Sequence, residues 1–317
     1  MSKYKGLGSR IWAGRFVYLI LLPVMAYYII FFYLPIFNIQ TGGILMAFKH
    51  FRINRTFFEM EWVGFQWFEM LFNLPAFWQV MRNTMYISFG RLLFEFPIPI
   101  ILAILLNEVR HSKSKRIYQT IFTFPHFMSW VLIMSLMRDL LLADGIINQI
   151  LALFTGQTIQ FLSAPTIPIN LFLVFITSIW KSTGWVAIIY LATISGIDPT
   201  LYEAAMVDGA NRWHRIKHIT WPGIKSVVVL LLILNCGNIL NAGFDQIFNM
   251  RNAVNKNALE ILDTYIYSLA FGGNFNQSFA AAAGLFKTII NFALLLTANK
   301  IAHLLGEEGL FGRGVKG

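Results

Sequence analysis

Residues 203–222 read EAAMVDGANRWHRIKHITWP. The stretch is polar and basic, yet long apolar segments flank it on both sides. Residues 203–207 are helix-compatible, and Asp208-Gly209 interrupts them, because glycine accepts a turn that other residues resist. A second amphipathic piece follows over 211–219. Pro222 then suits the start of the next apolar segment, where its missing N–H costs little. This order predicts a helix–turn–helix lying across a membrane surface, a rigid element able to transmit force.

The rest of the composition agrees with a membrane setting. The chain has 317 residues, 57% hydrophobic and only 13% charged. Soluble domains average about 25% charged residues. With 30 Phe and a mean hydropathy of +0.61, this is the composition of an integral membrane protein. The single Cys236 lies in an apolar run, which excludes a disulfide framework or a cysteine-based metal site. The net charge of +10 has a topological reading rather than a nucleic-acid one, since cationic residues gather on cytoplasmic loops. The first apolar run, 16–37, is uncharged and too long for the core of a cleavable signal peptide.

Six spans are expected, near 16–37, 83–107, 117–137, 169–194, 226–244 and 278–303. They form one transmembrane domain over 16–303, between an N-terminal tail (1–15) and a C-terminal tail (304–317). Arg91 and Glu95 fall within the second span at i, i+4 spacing and can pair on one helix face. Lys287 falls within the sixth. With the N-terminus inside, the cytoplasmic pieces 1–15, 108–116, 195–225 and the tail after 299 hold fifteen cations: Lys3, Lys5, Arg10, Arg15, Arg110, Lys113, Lys115, Arg116, Arg212, Arg215, Lys217, Lys225, Lys300, Arg313 and Lys316. The external pieces 38–78, 138–168 and 245–277 hold six: Lys49, Arg52, Arg55, Arg138, Arg251 and Lys256. That bias predicts both termini inside, together with the loop 195–225. Trp62, Trp67 and Trp78 suit a membrane–water boundary. The apolar run 146–154 is too short to span, so an interfacial or lateral helix is expected there.

Glu203-Ala204-Ala205, Asp208-Gly209-Ala210 and Ile219-Thr220-Trp221-Pro222 resemble the EAA loop of bacterial ABC importer permeases. Other strings keep the family's order along nearly the whole chain. They are Asn83-Thr84 with Phe96-Pro97-Ile98-Pro99, Pro125-His126-Phe127-Met128-Ser129-Trp130, Ile179-Trp180-Lys181 through Gly184-Trp185, Ile189-Tyr190-Leu191-Ala192, Asp263-Thr264-Tyr265, and Gly284-Leu285-Phe286-Lys287. The chain resembles carbohydrate permeases of the maltose-type superfamily, in the complex-oligosaccharide, lipoprotein-associated branch. The resemblance implies a type I ABC importer permease fold: all-α, six transmembrane helices and a cytoplasmic coupling helix–turn–helix, in the bacterial cytoplasmic (inner) membrane. It implies a second, different permease subunit, two copies of an ABC ATPase and an extracytoplasmic solute-binding protein as partners. ATP and Mg would then sit on the ATPase, with no cofactor on this chain and no enzymatic activity of its own. Glu203 would be a polar anchor, Ala204 and Ala205 would permit close approach, and Asp208, Gly209 and Ala210 would form the turn. The plainer alternative is an amphipathic loop whose basic residues meet lipid headgroups; the full string in this inter-span position argues against it.

Counted from Glu203, the maltose-type resemblance implies saccharide contacts at Ser178, Lys181, Ser182 and Trp185 in the fourth span, and at Asn235, Asn238 and Asn241 in the fifth. The i, i+3, i+4, i+7 spacing places the first four on one helix face. A polar stripe in an apolar helix belongs at the interior or along a water-filled path. Trp185 would stack on a sugar ring, and the asparagines would hydrogen-bond hydroxyls. Packing of span against span is the rival reading. Lys181, where the relatives tend to be uncharged, and Lys287, with no acid near in sequence, point to an electropositive path. The expected cargo is an oligosaccharide or polysaccharide fragment, anionic such as alginate or pectin-derived uronates.

Several chemistries are excluded. There is no G-x-x-x-x-G-K-[ST], so ATP chemistry belongs to another chain. His214 and His218 have metal-compatible i, i+4 spacing but no third ligand beside them, and no metal site is expected. His126 reads as a hydrogen-bonded core residue, and Asp139 and Asp144 are too isolated for a catalytic pair. A membrane-embedded transferase would need a clustered acid or His constellation, which is absent. An ion-coupled secondary sugar transporter is the alternative function. It would need mid-membrane acids and often internal repeats; only Glu95 qualifies, opposite Arg91, and no repeat is evident.

Overall fold

A computed structural model describes residues 14–34, 43–52, 55–162, 167–272, 276–307 and 309–310. The N-terminal tail up to residue 13 and the C-terminal tail at 308 and 311–317 lie outside the described residues. The chain forms two compact units, Met1–Asn73 with Leu269–Leu285, and Leu74–Ser268 with Phe286–Gly317.

The first unit opens with α1 (Arg15–Tyr28), which runs on as a π-helical turn, Ile29–Tyr33. None of its residues is buried. A helix apolar all round needs an apolar solvent, which the bilayer supplies. A 3-10 stretch, Gly43–Phe48, leads to an isolated antiparallel bridge between Lys49 and Trp62, and α2 follows (Gln66–Asn73). Trp67 is buried, with its indole N–H donating to the Lys49 carbonyl at 3.0 Å and its ring stacked on His50. The expected aromatic belt therefore divides. Trp62 and Trp78 are exposed, but Trp67 is a core residue, because its N–H finds a partner inside.

The second unit begins with α3 (Pro75–Gly90), a π turn (Arg91–Glu95) and α4 (Pro97–Asn107), which together make one rod, Pro75–Asn107. Proline lacks a donor and its ring crowds the carbonyl four residues back. The wider π turn closes the Phe96 N–H onto Arg91 O at 3.0 Å and lets the helix pass through Pro97. Then come α5 (Ser112–Thr123), a 3-10 turn (Phe124–Phe127) and α6 (Trp130–Leu141). The third expected span, 117–137, is therefore a broken pair. Pro125 removes a donor at the break, Met128 and Ser129 are extended, and the Ser129 hydroxyl caps α6 by accepting from Leu132 N at 3.2 Å. Five helices among the described residues are long and apolar enough to cross a membrane: Arg15–Tyr33, Pro75–Asn107, Pro168–Ser195, Arg212–Gly237 and Gln277–Leu304.

Next are α7 (Ile146–Thr155), α8 (Ile167–Ser195), α9 (Pro199–Val207) and α10 (Arg212–Arg215). The last runs through a third π turn, Ile216–Thr220, into α11 (Trp221–Gly237). The second amphipathic piece of the loop is thus the foot of the rod Arg212–Gly237, the helix of the expected fifth span. Pro222 lies inside that rod rather than at its start, again just after a π turn. The rod stops at Gly237, short of the expected 244. The chain closes with α12 (Phe244–Met250), α13 (Lys256–Leu259), α14 (Leu262–Phe271) and α15 (Gln277–Leu304).

Two apolar clusters hold the second unit. One joins Ile87, Ile133, Val174, Ile247 and Ile261; the other joins Ile100, Ala103, Ala187, Tyr190 and Ile224. Lipid tails are as apolar as these side chains, so close packing and internal hydrogen bonds, rather than transfer from water, drive the association. The buried Thr84 hydroxyl donates to Val80 O at 2.8 Å and accepts from Leu262 N at 2.9 Å, pinning α14 to α3. Thr84→Val strands that N–H and is expected to lower stability by about 1–3 kcal/mol, read as a lower thermal midpoint of the purified protein in detergent.

Candidate coupling surface and translocation path

The loop after α8 is built from local capping. Asp198 N-caps α9, its carboxylate accepting from Thr200 N at 2.9 Å, and Pro199 takes the first helical position. That backbone hydrogen bond, more than any other cause, holds the Asp198 carboxyl below its ordinary pKa. A depressed folded-state pKa means that the cap contributes above the unfolded pKa and is lost as pH falls through the folded one. A lower amide protection factor in α9 at acidic pH, referred to the intrinsic exchange rate at each pH, is the expected sign, and Asp198→Ala should show it already at neutral pH. Gly209 has φ +77 with open space around a Cβ, so backbone conformation alone selects glycine. Asn211 restarts the helix, accepting from His214 N at 2.9 Å.

Glu203, Ala204, Asp208 and Gly209 are exposed, with Ala205 and Ala210 half-buried. Leu201, Met206, Trp213 and Val207, the last 89% exposed, add apolar surface around them. The loop is nonetheless fixed to its unit. The Tyr202 hydroxyl bonds Thr220 Oγ1 at 3.0 Å, Arg212 lies 3.8 Å from Glu108 at the end of α4, and Lys225 pairs with Glu307 beyond α15.

A cavity of about 280 Å³ opens between α3–α4, α8 and α11. Its polar lining is Arg91, Glu95, Ser182, Asn235, Asn238 and Asn241, together with Ser88. Glu95 accepts from the Ser178 and Ser182 hydroxyls, each at 2.9 Å. Arg91 Nε lies 3.9 Å from Glu95, and the guanidinium donates to Gln246, whose amide in turn donates to Val174 O at 2.7 Å and Thr177 Oγ1 at 2.8 Å. The guanidinium lies flat against Gly243, where a Cβ would come within 2.5 Å of it. Asn235 and Asn238 donate to Leu231 O and Leu234 O at 2.8 and 3.0 Å, and Asn241 donates to Asn238 Oδ1 at 2.8 Å.

The four-residue stripe on α8 therefore splits. Ser178 and Ser182 turn toward Glu95. Lys181 and Trp185 turn toward the broken helix. Lys181 Nζ donates to His126 O at 2.7 Å and to Met128 O, and sits 5.5 Å over the Trp130 ring. Carbonyls at a helix break lack intrahelical partners, and the ammonium supplies their donors. Trp185 stacks on His126 with centroids 4.5 Å apart and planes 2° from parallel. His126 is accordingly a half-buried stacking residue rather than one buried in the core. Lys287 pairs with Asp263 on α14, so the acid absent from its sequence neighbourhood is supplied by the fold. Sequence reasoning treated Arg91 and Glu95 only as a neutralised pair and missed Gln246. Two charges in one apolar rod were the available signal. Stacked His214 and His218 gain no third ligand, and no group of three metal-ligating side chains occurs among the described residues.

Residues 4–303 match the family of binding-protein-dependent transport system inner membrane components. The chain belongs to this family. The permease is 41% identical over 300 residues to Protein LplB of Bacillus subtilis (strain 168), covering 94% of this chain and 91% of that protein. It is 40% identical over 312 residues to the polygalacturonan/rhamnogalacturonan transport system permease protein YteP of the same organism, covering 98% and 94%. It superposes with a TM-score of 0.84 and 33% identity on a chain of the crystal structure of a bacterial alginate ABC transporter in complex with alginate pentasaccharide-bound periplasmic protein, covering 96% of this chain and all of that one. The permease is a transport component of ABC importer type, not an enzyme, and the resemblance drawn from the EAA-like loop holds along nearly the whole chain.

Proposed function

We propose that this permease imports an acidic oligosaccharide through the cavity lined by Arg91, Glu95, Ser182 and Asn235, driven by an ABC ATPase that docks on residues 203–210. One observation carries the reading. The rod Arg212–Gly237 begins just after the docking residues and ends at the cavity, and the Tyr202 hydroxyl ties the docking helix α9 to that rod at Thr220, 3.0 Å away. From Arg212 to Asn235 it extends about 35 Å at 1.5 Å per residue. Movement of the loop at one end displaces Asn235 at the other.

In this account ATP and Mg sit on two ATPase copies at the cytoplasmic side, which holds the loop and both termini. A second permease completes the path, and a solute-binding protein delivers cargo from outside. ATP and the loaded binding protein each favour a different conformation, which is the condition for alternating access. Acidic cargo is supported by relatives named for polygalacturonan/rhamnogalacturonan and alginate transport. In this chain Arg91 is the cation lining the cavity, whereas Lys181 and Lys287 are engaged elsewhere.

Arg91→Gln is expected to lower uptake of an acidic oligosaccharide by about tenfold, the equivalent of one charge-assisted contact of 1.4 kcal/mol. Stimulation of the ATPase by loaded binding protein should survive in that variant. Unchanged uptake in proteoliposomes of the complete importer would remove Arg91 from the path.

A further inference from the structure

We propose that α7 is a membrane-surface anchor, seated in the bilayer interface at the end of the spans opposite the coupling loop. Ile146, Ile150, Leu153 and Phe154 form one apolar stripe at i, i+4, i+7 and i+8, and all four are exposed. Leu153 and Phe154 are 83% and 84% exposed. The opposite side is fastened. Ile147 packs on the core that holds Leu141 and Ile133, and Asn148 is wholly buried. The Asn148 amide donates to Leu142 O at 2.8 Å and Ile159 O at 3.0 Å, while its carbonyl accepts from Ile159 N at 2.8 Å. The stripe is thus held outward by design of the buried face rather than by chance rotation.

Three observations assign the occupant as lipid. First, α7 links the end of α6 to the start of α8, and α8 reaches the coupling loop only about 43 Å later, so α7 lies at the far membrane surface. Second, the helices before and after it in sequence also expose apolar side chains, Val131, Leu132 and Leu136 on α6 and Phe172 and Ile176 on α8, as lipid-facing spans do. Third, the chain carries no Asp, Glu, Lys or Arg from Gly145 to Trp180. A soluble partner that binds and leaves in each cycle would return this stripe to water every time, and nothing charged is present to steer it. A ten-residue helix with an apolar stripe is too short to span but suits the headgroup–acyl boundary. There it would hold the outer ends of α6 and α8 while the loop moves the inner ends.

The test uses the complete importer in lipid nanodiscs, with Cys236→Ser and a nitroxide attached at Leu153→Cys or, for comparison, at Gln149→Cys. Collision with oxygen relative to a water-soluble nickel chelate should be severalfold higher at 153 than at 149, with or without loaded binding protein. Nickel access at 153 that disappears only when loaded binding protein is added would overturn the proposal in favour of a docking surface. Loss of access to both reagents would overturn it in favour of contact with the second permease.

Discussion

Gly184→Leu in α8 is expected to prevent the second unit from folding, and Gly184→Ala to destabilise it by about 3 kcal/mol, the upper end for overpacking. A Cβ at this position would lie 2.1 Å from the Phe122 carbonyl oxygen and 2.6 Å from Thr123 N. Both atoms are backbone, so no side chain can rotate away. The neighbouring turn of α8 cannot slide either, because Lys181 holds His126 O and Met128 O while Trp185 lies on the His126 ring. Small residues permit this kind of approach in membranes, where packing replaces the hydrophobic effect as the source of association. Membrane yield and thermal midpoint after purification measure the effect. Gly284→Ala is the comparison, since a Cβ there meets nothing within 4 Å and stability should be retained.

Lys287→Met is expected to cost about 3–5 kcal/mol, because it leaves the Asp263 carboxylate largely buried without its cation. The double variant Lys287→Met, Asp263→Leu should recover most of that loss, since well-packed apolar residues replace buried ion pairs at little cost. Thermal unfolding of both variants in the same detergent checks the pairing. If Lys287 instead faced cargo, the single variant would lose acidic uptake at unchanged stability, and the Asp263 substitution would restore nothing.

Lys287 also marks where sequence reading stops. Its apolar surroundings and lack of a nearby acid read as an uncompensated charge, whereas the fold supplies Asp263 from 24 residues away on α14. Five of the six expected spans were legible because hydropathy is local and additive, and the loop because its turn and caps are short-range: Gly209 and Asn211 act within a few residues of themselves. Pro125 was visible too, but the absence of any charged residue from 117 to 137 hid the break it helps to make in the third span. The π turns before Pro97 and Pro222 have no signature apart from those prolines. The cavity was the least legible part. Helical spacing grouped Ser178, Lys181, Ser182 and Trp185, yet which neighbour each one meets depends on how α3, α5 and α8 pack. That packing sends the serines to Glu95 and sends Lys181 to the broken helix.

Uptake by proteoliposomes of the complete importer tests the central claim most directly. With loaded binding protein outside and ATP inside, an acidic oligosaccharide should accumulate, be unaffected by ionophores, and stop when ATP is withheld or when Glu203→Arg disrupts the docking surface. Accumulation that persists without ATP and follows an imposed ion gradient would contradict the account and identify an ion-coupled transporter instead.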